Sequence, residues 1–355
     1  MTSRDRVLTT LAHEEPDLVP VTLAYGTPES LCRTHGRSAE AERLRQDIHS
    51  VSFRSPPPPE DVIRARYLPD LPPRARVDAW GRCSVPGDSG DAYRVVSPLE
   101  RVSDIAALAY YPFPDFTSPG LSAHLEAEVR ALHELGFAVQ GHMSQTIFEL
   151  GWELCGMDRT LMDLASEPEF VLAVFDRIMA QRLFQARRYA QAGVDIIRVG
   201  DDVGTQKGMM LAPGLWRRHL LPRLAAVIAA ARAVAPGVAV NYHSDGNIEP
   251  IIPDLIDAGV TILNPIQPEC MDPAAIKRRY GKRLTLLGTI GTQTTLPWGT
   301  PRQVAQMVAR RMRECAPGGG FIIAPTHTIQ PEVPWQNIRA FYDAVDRYGP
   351  PRRRA

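Results

Sequence analysis

The sequence predicts an α/β fold, a (β/α)8 barrel, on three observations. Eight short apolar runs of strand length recur along its 355 residues. Stretches with helical periodicity separate most of them. The runs also lack polar alternation, as strands do when both faces of a parallel sheet are covered. A doubly wound open sheet is the alternative for such a pattern. It would carry a glycine-rich phosphate loop after an early strand, and neither GxGxxG nor GxxxxGK[ST] occurs.

The elements follow in order. Residues 3–13 suit a short amphipathic N-terminal helix with Ser3 or Asp5 near its cap. Val19–Tyr25 reads as the first strand, 28–45 as a helical stretch and Asp47–Phe53 as the second strand. Residues 55–119 break the rhythm. Pro56 to Pro59 are consecutive, and Pro86-Gly87-Asp88-Ser89-Gly90-Asp91 has the composition of a hairpin turn. This region is expected to be an insertion on a single barrel domain spanning 1–355. From residue 121 the pattern is regular. A helix at 121–135 leads to the strand Phe137–His142, helices at 147–165 and 168–192 to Asp195–Gly200, and a helix at 213–235 to Val238–His243. Helices at 247–258, 273–280 and 301–315 then lead to the strands Thr261–Gln267, Leu284–Thr289 and Phe321–Pro325, and a last helix covers 334–347.

Composition limits the partners. Forty basic residues balance forty acidic ones, which argues against nucleic acid or an anionic membrane surface. Arg352-Arg353-Arg354 is too short to alter that and reads as a solvated end. A hydrophobic content of 44% is ample for a large core. Five widely spaced cysteines without a CxxC pair argue against a disulfide framework and for a reducing cytoplasm. No apolar leader and no run of about 18 apolar residues occurs, so no membrane segment is expected.

In a barrel of this kind the chemistry sits at the carboxyl ends of the strands. Polar residues are dense there: His142, Asp201 and Asp202, His243 and Asp245, Gln267 and Glu269, Thr289 and Gln293, His327 and Gln330. Burying them without partners is costly, and a solvated or metal-filled cleft would meet that cost. His243 and Asp245 are two apart, so on an extended segment they share a side. His327, at the end of a distant strand, completes a two-histidine, one-carboxylate set suited to a divalent metal, zinc first and iron as the alternative. Each residue also has a purely structural reading. His243 suits a hydrogen-bonded barrel histidine, and Asp245, followed by Gly246-Asn247, suits a helix start where it would cap backbone N–H groups. Cys270 competes with His327 as third ligand. The adjacent Asp201 and Asp202 diverge on an extended segment. One faces the cleft as general base or substrate anchor, while the other caps a helix or bonds a histidine. His142, Gln206, Tyr242, Gln267 and Gln293 are the candidates for substrate positioning.

Several segments together carry a family resemblance. They are Thr2–Leu8 with Glu15–Val21, Gly200–Gln206, His243-Ser244-Asp245-Gly246, Asn264-Pro265-Ile266-Gln267-Pro268, and Gly318-Gly319-Gly320 through Ile329-Gln330-Pro331. Over nearly the whole chain they resemble the uroporphyrinogen decarboxylase superfamily, which implies a (β/α)8 barrel. That superfamily holds metal-free decarboxylases of uroporphyrinogen, and zinc methyltransferases that move a methyl group between a corrinoid protein and an acceptor such as a thiol. The decarboxylases carry an arginine-rich stretch after the first strand. Here Leu23-Ala24-Tyr25-Gly26-Thr27-Pro28-Glu29-Ser30 contains no arginine, so the cationic clamp for a polyanionic tetrapyrrole is missing. The methyltransferase branch has His-x-Cys after the fifth strand and a second Cys after the eighth. By resemblance these positions are His243, Asp245 and His327, so both thiolates are replaced by other ligands. A His/Asp/His set would make the metal a stronger Lewis acid, suited to water, an alkoxide or a carboxylate.

The expectation is therefore a metal-dependent, methyltransferase-like enzyme acting on a small molecule, with a corrinoid protein as partner and methyl donor. The alternatives are a decarboxylase or lyase of a small carboxylate, with Asp201 or Asp202 handling the proton, and a non-catalytic partner of a methyltransfer complex. A homodimer is compatible with the sequence.

Overall fold

The structure is a computed structural model and describes residues 1–87, 93–143 and 145–349. The turn expected at Pro86–Asp91 lies largely outside the described residues, as does the basic tail. Ten strands are described: β1 (Ile48–Val51), β2 (Arg76–Val77), β3 (Cys83–Pro86), β4 (Tyr93–Val96), β5 (Ala138–His142), β6 (Ile196–Gly200), β7 (Ala239–His243), β8 (Ile262–Asn264), β9 (Thr285–Leu287) and β10 (Phe321–Ile322). Seven of them form one parallel sheet in the order β1-β5-β6-β7-β8-β9-β10. Helices run between successive strands, and the sheet curls in a TIM-like manner. Parallel neighbours need such crossovers, and these cover the sheet on both faces. That is why β6, β7, β8 and β9 are buried at every residue.

The first expected strand, Val19–Tyr25, is reduced to an isolated parallel bridge between Val21 and Ile323. Prolines at 16 and 20 cannot donate to a ladder. The segment still spans the gap between β10 and β1. Thr22 N–H donates to the Ile323 carbonyl (3.2 Å), Ile323 N–H to the Pro20 carbonyl (2.9 Å), and Asp47 N–H to the Val21 carbonyl (2.8 Å). The other seven expected strands all contain an observed one.

Residues 55–119 hold the second sheet, three antiparallel strands in the order β2-β3-β4. Several expected helices are broken. The 147–165 stretch divides at Gly156, whose φ of 91° only glycine adopts without strain, into Phe148–Cys155 and Met157–Ala165. The 213–235 stretch divides near Pro222 into Pro213–His219 and Leu221–Arg232. Among the described residues no helix is long and apolar enough to cross a membrane.

Candidate active site at the strand ends

β7 delivers His243 and, by strand alternation, turns Tyr242 the other way. Tyr242 is buried and its hydroxyl donates to the Asp201 carbonyl (3.4 Å). The sequence reading that placed Tyr242 beside a substrate is therefore corrected, because odd and even residues of one strand cannot share a cleft. Gly200, at the end of β6, lets β7 approach, since a Cβ there would run into the His243 backbone. Gly204 and Gly246 repeat the device one step further on, each facing the other loop's backbone. Those contacts bring the loop after β6 against the loop after β7, and Asp245 N–H donates to Asp202 Oδ1 (2.8 Å).

His243, Asp245 and His327 come together, with one ligand atom of each lying within 4.8 Å of the others. His243 Nε2 is 3.9 Å from Asp245 Oδ1, and His327 Nε2 is 3.9 Å from Asp245 Oδ2. Asp202 Oδ1 is 3.7 Å from His243 Nε2. Ligand atoms around a tetrahedral zinc with bonds of ~2.1 Å sit about 3.4 Å apart, so a modest contraction would close this set on a metal. Cys270 is free and is not part of the cluster.

The protonation states suit ligation. Burial, with Arg198 beside it, holds the His243 imidazole neutral, its pKa well below the ordinary value. Burial also lowers that of His327. His243 Nδ1 lies 2.7 Å from Asn264 Oδ1 and 3.1 Å from Arg198 Nη2. Asn264 Nδ2 donates to the Leu287 carbonyl (3.2 Å), which turns its Oδ1 toward the ring. The shorter contact and its acceptor place the proton on Nδ1, leaving the Nε2 lone pair facing the cluster. The Tyr25 hydroxyl meets that lone pair at 2.9 Å. The Tyr25 ring lies beside His327 and beneath the Arg198 guanidinium, whose Cζ is 4.3 Å from the ring centroid.

The carboxylates divide the work. Asp201 is fully buried and accepts from the backbone N–H groups of Ile147 (3.0 and 3.1 Å) and Glu149 (3.0 Å), capping the Phe148–Cys155 helix. Burial lifts its pKa to about 6 against those hydrogen bonds. It is thus not brought into the cleft. Asp202 is, and burial raises its pKa. Asp245 is pushed up to about 7 by burial and by the neighbouring Asp202 charge. Glu149, absent from the sequence reading, accepts the Asp202 N–H (2.9 Å) and is pushed to about 9 by burial, Asp202 and Asp201. Tyr25, Arg198 and Asn264 were missed as well. Tyr25 belongs to a segment read as ordinary strand, and Arg198 and Asn264 lie inside apolar runs. A charged residue within a buried run was the available signal for Arg198.

The remaining candidates scatter around this centre. Gln267 accepts the Gly246 N–H (3.0 Å), fixing the Asp245 loop. Gln206 Nε2 donates to Gln293 Oε1 (2.6 Å), an exposed bridge across the mouth. His142 lines an inner chamber, its pKa lowered to about 4 by burial. An outer cavity of about 440 Å³ is bordered by Asp245, His327, Gln267, Gln293 and Trp298. The inner chamber, about 250 Å³, is lined by Tyr25 and Arg198 along with His142.

Two neutral imidazoles and a carboxylate at the carboxyl ends of a curled parallel sheet make up a candidate metal site. The chain belongs to the uroporphyrinogen decarboxylase (URO-D) family, whose model matches residues 89–348. Within it the sequence stands nearer the methyltransferase-like branch than the true decarboxylases. The methylcobamide:CoM methyltransferase MtaA of Methanosarcina barkeri is 28% identical over 163 residues, 46% of this chain and 44% of that protein. The same-named protein of the Fusaro strain is 26% identical over equal shares. The match thus spans less than half the length of these curated relatives. A methyltransferase from Methanosarcina mazei superposes with a TM-score of 0.67 at 19% identity, covering 98% of this chain and 99% of that one, and supports the fold.

Proposed function

We propose that this protein is a metal-dependent methyltransferase-like enzyme in which His243, Asp245 and His327 hold a divalent ion, zinc first. The fold would be a (β/α)8 barrel with residues 20–22 as its eighth stave. The observation that carries the reading is the convergence of three ligand atoms within 4.8 Å at the strand ends. A bound metal would supply Lewis acidity to a small acceptor. The chain's own residues do the rest. Asn264 holds the Nδ1 proton of His243, so that Nε2 faces the cluster. Asp202 stands beside it to accept or return a proton, and burial raises its pKa above the ordinary carboxylate value. Gln267 holds the Asp245 loop. The matched relatives are named for methyl transfer from methylcobamide, and we assign a corrinoid protein as donor on that basis. The free cysteines suit a cytoplasmic location.

Elemental analysis of purified protein, beside His243→Ala, Asp245→Ala and His327→Ala, tests this. About one metal per chain in the wild type, lost in all three variants, is the expected result. Full occupancy in His243→Ala sinks the assignment.

One observation favours a second reading. Glu149, Asp202 and Asp245 all hold protons more tightly than ordinary carboxylates, and Asp202 and Asp245 stand near the buried Arg198. That arrangement suits proton handling in a metal-free carboxy-lyase of a small carboxylate. Turnover that survives exhaustive chelation would select it.

A further inference from the structure

Trp298 borders the outer cavity, and the chain holds it out into water from below. It ends a one-turn helix, Thr295–Trp298, in which Leu296 and Pro297 are buried. Asn337 is buried on the helix Trp335–Tyr348, and its Nδ2 donates to the Leu296 (2.8 Å) and Gly299 (2.7 Å) carbonyls. Gly299 N–H closes the turn on the Thr295 carbonyl (3.1 Å), and a Cβ on Gly299 would run into that carbonyl. On this pinned turn the Trp298 side chain is 75% exposed. A large indole left in water, against a cavity that also holds His327 and Asp245, is placed to receive a ligand.

The charges around the cavity narrow the guest. Two carboxylates border it, Asp245 and Glu332, and among the described residues there no lysine or arginine does. Asp245 belongs to the ligand cluster, so the exposed Glu332 is the carboxylate open to a guest. An anion would meet Glu332 with no basic side chain to offset it. Trp298 also borders a neighbouring groove of about 450 Å³, which carries Arg310 and no carboxylate among the described residues. A cation is therefore directed to the outer cavity.

The hydrogen bonds narrow it further. Gln267 Oε1 already takes the Gly246 N–H (3.0 Å), Gln293 Oε1 takes Gln206 Nε2 (2.6 Å), and the Thr292 and Thr326 hydroxyls meet each other (3.0 Å). A primary ammonium would leave water with three N–H groups in need of acceptors. A quaternary ammonium has no N–H to satisfy, and the face of a tryptophan is its strongest aromatic partner. An uncharged aromatic ring would also stack on Trp298, but it gains nothing from Glu332. The volume of about 440 Å³ suits a small molecule.

We propose that the outer cavity takes a small quaternary ammonium compound, its head against the Trp298 indole and beside Glu332, its other end directed to the cluster of His243, Asp245 and His327. The inference deepens the proposed function by naming its substrate class, and rests on it only for what happens at the cluster. Binding is read by calorimetry on chelator-stripped protein, at one ionic strength, with four probes: choline, its uncharged analogue with a tert-butyl group in place of the trimethylammonium, ethanolamine and benzyl alcohol. Choline is expected to bind about tenfold tighter than the tert-butyl analogue, and tighter than ethanolamine or benzyl alcohol. Trp298→Leu should weaken choline about fivefold and Glu332→Gln about twofold, with a smaller change for the tert-butyl analogue. Both side chains are exposed, so the melting curves of the variants should match the wild type. Equal or tighter binding of any other probe, choline binding indifferent to Trp298→Leu, or no choline binding at all overturns the assignment. The last result would leave Trp298 to a protein partner. Because the metal is absent from the assay, failure of the metal reading leaves choline binding intact, and failure here leaves the elemental analysis standing.

Discussion

The two ends of the curled sheet use the same side chains to opposite purposes. At the amino end, Asp47 and Asp195 are buried and saturated. Asp47 accepts from Ser3 (2.6 Å), Arg6 (3.2 Å) and the Val21 N–H (2.7 Å). Asp195 accepts from Arg4 (3.0 and 2.9 Å), meets His133 (2.9 Å) and takes the Val139 N–H (2.9 Å). At the carboxyl end, Asp202, Asp245 and Glu149 have no bonded arginine among the described residues and crowd one another, and burial lifts all three pKa values. Saturated carboxylates hold a structure together. Frustrated ones are retained where a ligand or proton is to be received, in keeping with the division between the two faces of such sheets.

The sharpest way to break that contrast is to remove one carboxylate from each end. Asp47→Ala leaves Arg6 and the Val21 N–H without their buried partner and should cost about 3 kcal/mol in urea unfolding, or prevent folding. Asp245→Asn removes a charge that its neighbour Asp202 repels, and should change stability by less than about 1 kcal/mol while metal content falls to background. Similar costs at the two positions would dissolve the distinction.

A second effect, tied to pH, tests the frustration itself. The Glu149 pKa is raised from 4.5 to about 9. Between those values the folded protein keeps a proton that the unfolded chain has released, so this residue's contribution is fully present below pH 4.5 and is lost as pH rises toward 9. Glu149→Gln cannot titrate and still accepts the Asp202 N–H. Melting of metal-free protein should show variant and wild type alike near pH 4.5. The variant should gain about 4 kcal/mol by pH 8. A difference independent of pH would mean that Glu149 is ionised throughout.

The amino acid sequence exposed the two ends unequally. Strand positions were legible because burial on both faces leaves uninterrupted apolar runs. The exception was Val19–Tyr25, where Pro20 removes a donor and leaves one bridge at Val21. His243 and Asp245 were legible because a spacing of two on an extended segment sets a shared direction. Asp201 and Asp202 could be told to diverge but not which one turns inward, since that depends on the Phe148–Cys155 helix presenting its N–H groups to Asp201. Tyr242 misled because strand ends were counted without fixing the phase of alternation. Glu149 sits in the first turn of that helix, and nothing local marks it as facing Asp202. Tertiary placement decides such residues, and one sequence carries no record of it.

The smallest effect concerns the hydroxyl that meets the metal-facing nitrogen of His243. Tyr25 meets His243 Nε2 at 2.9 Å, the lone pair a metal would use. Tyr25→Phe keeps the ring under Arg198 and beside His327 but deletes that hydrogen bond. A bond of this kind is worth about 1 kcal/mol, so zinc affinity should rise by roughly fivefold in a competition titration. A fall in affinity would show that the hydroxyl holds the imidazole in place for the ion instead of competing with it. Tyr25 would then join Asn264 as a residue that orients His243, and the carboxyl end would be more completely pre-arranged than the crowding of its carboxylates suggests.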